Sequence, residues 1–85
     1  MATEQRPTLT VYSRDHCHLC EEMISGLRRL QARFHFELAI VDVDSDPELQ
    51  RRHGEKVPVL MHGERELCHA ALEPVSVTAY LENFR

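Results

Sequence analysis

The 85-residue sequence contains no tryptophan, three glycines, four prolines and three cysteines, and aromatic side chains account for only 6% of it. Glycine and proline are too sparse for a collagen-like or low-complexity chain, and a hydrophobic content of 42% excludes the composition of a disordered one. Long apolar runs are missing as well. The longest, Leu38 to Val41, falls far short of the roughly 20 residues needed to span a bilayer, so no membrane association is expected. Met1 to Pro7 holds no apolar core, so nothing directs export and a cytoplasmic location is expected. A basic excess is also lacking: 10 basic against 14 acidic residues leave a formal charge of -4. A general nucleic-acid binder needs a concentrated basic face, which the short pairs Arg28-Arg29 and Arg51-Arg52 do not make.

The length and the even spread of apolar residues indicate one domain over residues 1–85, without linker or internal repeat, and a monomer is expected. Leu9-Thr-Val-Tyr12 favours a short strand. Leu19, Met23, Leu27, Leu30 and Phe34 recur at helical spacing, which predicts a helix over about Cys17 to Phe34 with these residues on its packing face. Phe36 to Val43 is apolar on both alternating sets, as in an inner strand covered on both faces. Asp46-Pro47-Glu48 provides an N-cap, a proline at the first helical position and a first-turn acid, and Gly54 can stop that helix in a left-handed conformation. Val57 to Met61 and Arg65 to Cys68 read as a hairpin about His62-Gly63-Glu64, and Pro74 opens a last helix with Val77, Leu81 and Phe84 on one face. The order β-α-β-α-β-β-α implies an α/β fold: a mixed four-stranded sheet flanked by helices, with one right-handed crossover.

The chemistry concentrates where the first strand meets the first helix. Cys17-His18-Leu19-Cys20 puts two sulfurs on one side of a helical turn, within reach of a disulfide. Cys17 falls at the helix N-terminus, where unpaired N–H groups and the positive end of the dipole favour a thiolate. An ordinary thiol titrates near ~8.5, whereas thiols at such termini lie at roughly 3.5–7.5, so Cys17 is the expected nucleophile. Arg14, His16 and His18 crowd the same turn and can add positive charge, the histidines only when protonated. Cys20, one turn further on, is the expected resolving thiol. A C-x-x-C at a strand-to-helix junction beside a β-α-β pattern is a specific redox signal.

Pro58, opening a strand after a short helix, is a candidate cis proline, with the Val57 backbone available to an extended thiol peptide. Cys68 and His69 lie at the end of the fourth strand and are most simply a half-buried thiol beside an exposed imidazole. His35, His53 and His62 are scattered and read as mostly solvated, and Asp42 and Asp44 read as boundary residues. The competing assignment is a binding module in which Cys17, Cys20 and a histidine such as His16 or His69 hold Zn or Cu(I).

Tyr12-Ser13-Arg14-x-x-Cys17-x-x-Cys20 together with Val57-Pro58 resembles a glutaredoxin of the thioredoxin-like superfamily, most closely the short bacterial glutaredoxin-like proteins with Cys-His-x-Cys followed by Glu-Glu. The resemblance spans nearly the whole chain. It implies a thioredoxin-like fold and a thiol–disulfide oxidoreductase acting on protein or small-molecule disulfides, with no bound cofactor and glutathione or a reductase as electron donor. It further implies Cys17 as nucleophile, Cys20 as resolving cysteine, Pro58 as the cis proline and Arg14 as a contact for the glycine carboxylate of glutathione, with Tyr12, His16 and His18 supporting. The chain departs from the usual pattern at His18-Leu19, where Pro-Tyr is typical, at Lys56, where threonine is typical, and around Leu67 to Ala71, where the Gly-Gly pair and following Asp are replaced.

Overall fold

Apolar residues alternate along the first strand, β1 (Thr8–Ser13), so that Leu9, Val11 and Ser13 are buried on one face while Thr8, Thr10 and Tyr12 point to the other. The structure, a computed structural model, describes residues 6–83. After β1 come α1 (His18–Gln31), β2 (Glu37–Asp42), a 3-10 turn (Val43–Ser45), α2 (Pro47–His53), β3 (Val59–His62), β4 (Arg65–His69) and α3 (Pro74–Glu82). The four strands form one mixed sheet in the order β2-β1-β3-β4, with β1 and β2 parallel and the other pairs antiparallel. This is the expected element order, with the 3-10 turn added between β2 and α2.

One face of the sheet carries the main core, where Leu9, Val11, Leu60 and Cys68 meet Met23, Leu27 and Leu30 of α1 and Val77 and Leu81 of α3. Leu27 is fully buried there, and truncating such a leucine to alanine costs about 2–5 kcal/mol. The opposite face is covered by α2, whose last residue, His53, stacks on Tyr12. Asp46 caps α2 by accepting a hydrogen bond from the Glu48 N–H at 2.8 Å, and Pro47 occupies the first turn as expected.

Several expectations need correction. α1 is shorter than Cys17 to Phe34 because Cys17 is its N-cap and the chain turns at Ala32. Leu19 is not on the packing face: at 48% exposure it projects outward from the first turn of α1. β2 is an edge strand with no buried residue, and its Ile40 is 44% exposed. Density of apolar residues does not distinguish an edge from a centre, since that depends on which strand takes the other side of β1, and β3 takes it. β3 starts at Val59, two residues later than expected, and β4 runs one residue further, to His69.

Gly54 ends α2 in a right-handed conformation, φ -57°, not a left-handed one. Its lack of a side chain serves close approach instead: a Cβ there would lie 2.5 Å from the Gln50 carbonyl oxygen. Gly63, at φ +60°, does use the left-handed region in the β3–β4 turn. Val77 and Leu81 of α3 are buried as expected, and Phe84 lies outside the described residues.

Candidate active site at the N-terminus of α1

The topology brings several loops to one end of the sheet. β1 and β2 are parallel and both finish there, Ser13 pairing with Asp42; β3 starts there, Val59 pairing with Tyr12; β4 finishes there, His69 pairing with Val59. The segments Arg14–Cys17, Asp42–Asp46, Glu55–Pro58 and Ala70–Glu73 therefore share that end.

Within the first of these loops, Cys17 caps α1: its Sγ accepts a hydrogen bond from the Cys20 N–H at 3.1 Å, which satisfies one of the helix's unpaired donors. Cys17 and Cys20 form a disulfide. Cys20 is only 2% exposed and Cys17 is half-buried, so solvent reaches the pair through Cys17. His16, immediately before, is exposed and takes a left-handed φ of 58°, an uncommon conformation for a residue with a side chain. His18 is also exposed, and its Nε2 lies 2.8 Å from Glu22 Oε2 one turn along the helix. Any positive charge on His18 is therefore compensated locally.

The Val57–Pro58 peptide is cis, and the Pro58 carbonyl accepts a hydrogen bond from the Ala70 N–H at 2.8 Å. Ala70 pays for this position with a φ of 68°. Tyr12 is half-buried on the α2 face, its ring stacked on His53 with centroids 4.6 Å apart. Arg14, whose side chain is 38% exposed, is bound by other parts of the chain. Its Nε and Nη2 donate to the two oxygens of Asp44 at 2.9 and 3.1 Å, and its Nη1 donates to the Gly54 carbonyl at 3.1 Å. The guanidinium and the Gln50 amide hold the Asp44 carboxyl below the usual carboxylate range.

Sequence reasoning missed Asp44, Gly54, Ala70 and His53. The first two are partners of Arg14 at separations of 30 and 40 residues, which no local pattern reveals. His53, expected to be solvated, is 6% exposed; burial, together with the nearby cations of Arg52 and Lys56, pushes its imidazole down. A further network was also unforeseen: Glu66 accepts from Lys56 Nζ at 2.7 Å and meets His69 Nδ1 at 2.7 Å, which lowers the Glu66 carboxyl. Cys68 is more deeply buried than expected, and burial pushes its thiol up. Among the described residues, no group of three or more His, Cys, Asp or Glu side chains is arranged to hold a metal ion, and no helix is long and apolar enough to cross a membrane.

This sheet order, with a C-x-x-C disulfide at the start of α1, defines a member of the thioredoxin-like superfamily. The model of the glutaredoxin-like domain family (DUF836) matches residues 8–82, and the chain belongs to that family. Protein Ne2328 from Nitrosomonas europaea, solved by solution NMR, is 44% identical over 95% of this chain and 99% of its own, with a TM-score of 0.81. The X-ray structure of protein XcR50 from X. campestris is 31% identical over 91% of this chain and 99% of its own, with a TM-score of 0.73. The germline-specific thioredoxin Deadhead from Drosophila melanogaster shares the fold at 21% identity over 94% of this chain and 82% of its own, with a TM-score of 0.63. No curated protein matches the chain. Family, fold and the Cys17–Cys20 disulfide together support a redox function.

Proposed function

We propose that the protein is a thiol–disulfide oxidoreductase that reduces protein or small-molecule disulfides through Cys17 and Cys20. The observation that carries this reading is the disulfide between an accessible helix-capping cysteine and a buried one, in a chain of the glutaredoxin-like family. In the reduced protein, the Cys17 thiolate attacks one substrate sulfur, forming a mixed disulfide and expelling the other substrate sulfur as a thiolate. The Cys20 thiolate then attacks the Cys17 sulfur, closing the Cys17–Cys20 disulfide and releasing the second substrate thiolate. Two electrons pass to the substrate, its thiolates take protons from water, and two molecules of glutathione or a dithiol reductase return the electrons.

The Cys20 N–H that meets Cys17 Sγ offers the developing thiolate a charge-assisted hydrogen bond, and the helix dipole has the same sign of effect. Val57 and Pro58 supply the surface against which an extended substrate lies, with Tyr12 on the neighbouring strand opposite Val59. His16 and His18 border the entrance to Cys17. The protein acts as a monomer in the cytoplasm and carries no bound cofactor.

A zinc or copper module would need Cys17 and Cys20 as thiolates with at least one further ligand. Among the described residues, neither His16 nor His69 is grouped with the two cysteines in an arrangement that could hold a metal ion, which favours the redox reading. The test is reaction of the reduced chain with bis(2-hydroxyethyl) disulfide. Cys17→Ser should abolish thiol release and Cys20→Ser should accumulate a mixed disulfide on Cys17, read by intact mass. Wild-type rates in Cys17→Ser would overturn the proposal.

A further inference from the structure

At this end of the sheet Arg14 makes three side-chain hydrogen bonds. Asp44 fills the side-on fork of its guanidinium with two bonds, while the Gly54 carbonyl takes Nη1. The carboxylate is itself anchored, since Gln50 Nε2 donates to Asp44 Oδ1 at 2.8 Å. One planar group thus joins the loop that ends at Cys17, the β2–α2 connection, and the end of α2 that leads into Val57–Pro58.

We propose that Arg14 is a positioning residue: its guanidinium holds the Cys17 loop against the segment leading to Pro58, and so sets the reactivity of the site toward disulfides in general. The inference rests on the dithiol reading above and refines it. A substrate carboxylate seeking the Nε–Nη2 fork of Arg14 must first displace Asp44, a partner already held in place by Gln50 and by the fold. Lysine, a point charge on a flexible stem, cannot reproduce two parallel bonds to Asp44 and a third to Gly54.

The experiment compares full-length wild type with Arg14→Lys and Asp44→Asn. Pre-reduced protein is mixed with oxidised glutathione, which carries carboxylates, or with bis(2-hydroxyethyl) disulfide, which carries none, and second-order rates are measured well below the melting transition. Both variants should lose about tenfold, by the same factor on both disulfides, as expected for a misplaced reacting pair. Amide hydrogen exchange should accelerate in both variants at His16–Cys17 and Lys56–Val57, while exchange in β1 and β3 stays as in wild type.

A loss confined to oxidised glutathione in Arg14→Lys, with Asp44→Asn at wild-type rates, would identify Arg14 as a carboxylate contact and overturn the inference. Unchanged rates on both disulfides, or unchanged exchange in the two loops, would overturn it too. Faster exchange across the whole domain would reduce Arg14 to a general stability role, also against the inference. A wild-type protein that reacts with neither disulfide would defeat the oxidoreductase reading alone, because the exchange measurement still decides whether Arg14 couples the loops.

Discussion

Tyr12 and His53 lie face to face across the α2 side of the sheet, ring centroids 4.6 Å apart and planes 18° from parallel. The imidazole is buried, and its Nδ1 has no hydrogen-bond partner. A neutral ring tolerates this site better than an imidazolium would, since charging it there forfeits hydration. Glu66 pulls the other way but is outweighed by burial and by the Arg52 and Lys56 cations.

This makes stability depend on pH in a defined direction. The folded protein binds a proton on His53 only below the ordinary imidazole value of about 6.5, whereas the unfolded chain binds one near it. The contribution is therefore complete above about 6.5 and is lost as pH falls toward the depressed folded value. Thermal melting should show wild type losing stability between about pH 7 and 5, and His53→Phe losing less over the same interval. Equal slopes would show that His53 is not responsible.

Asp44 and Glu66 should titrate below the ordinary carboxylate range when followed by carboxyl NMR. Asp44 is held down by Arg14 first and Gln50 second, Glu66 by Lys56 first and His69 second. Arg14→Lys should move Asp44 back toward the ordinary range and leave Glu66 where it is, and Lys56→Met should do the reverse. Movement of both carboxyls in either variant would mean that the two networks are not independent.

Cys68 should behave as a core residue. At 6% exposure, with its thiol pushed up by burial, it should resist iodoacetamide in the native reduced protein and react only on unfolding. Cys68→Ser should lower stability by about 1–3 kcal/mol through burial of a hydroxyl, read from a denaturant midpoint, with disulfide reduction intact. Alkylation of native Cys68 at the rate of a free thiol would contradict its placement.

Ala70 is an unusual place for glycine to be absent. At φ 68° a Cβ crowds the following carbonyl, a strain of about 1–2 kcal/mol that glycine does not feel. Ala70→Gly relieves it, offset by about 0.4–1 kcal/mol of added freedom in the unfolded chain. The variant should match or exceed wild type in urea denaturation, whereas Ala71→Gly should gain nothing. A clear loss of stability in Ala70→Gly would place the dominant interaction in the alanine methyl group.

Much of this molecule was legible without coordinates because its signals are local. The alternation in β1, the four- and three-residue steps of α1, the Asp46-Pro47 cap and the Gly63 turn each depend on neighbours a few positions away. The two cysteines belong to the same class, since three residues of helix bring their sulfurs together whatever the rest of the chain does. Only the tertiary structure decided that β2 is an edge, that His53 is buried on Tyr12, that Leu19 is exposed, and that Arg14 is bound by Asp44 and Gly54. Those facts follow from which strand lies on each side of β1 and from contacts 30 to 41 residues apart in the chain, where periodicity and capping chemistry carry no information and packing chooses the partner.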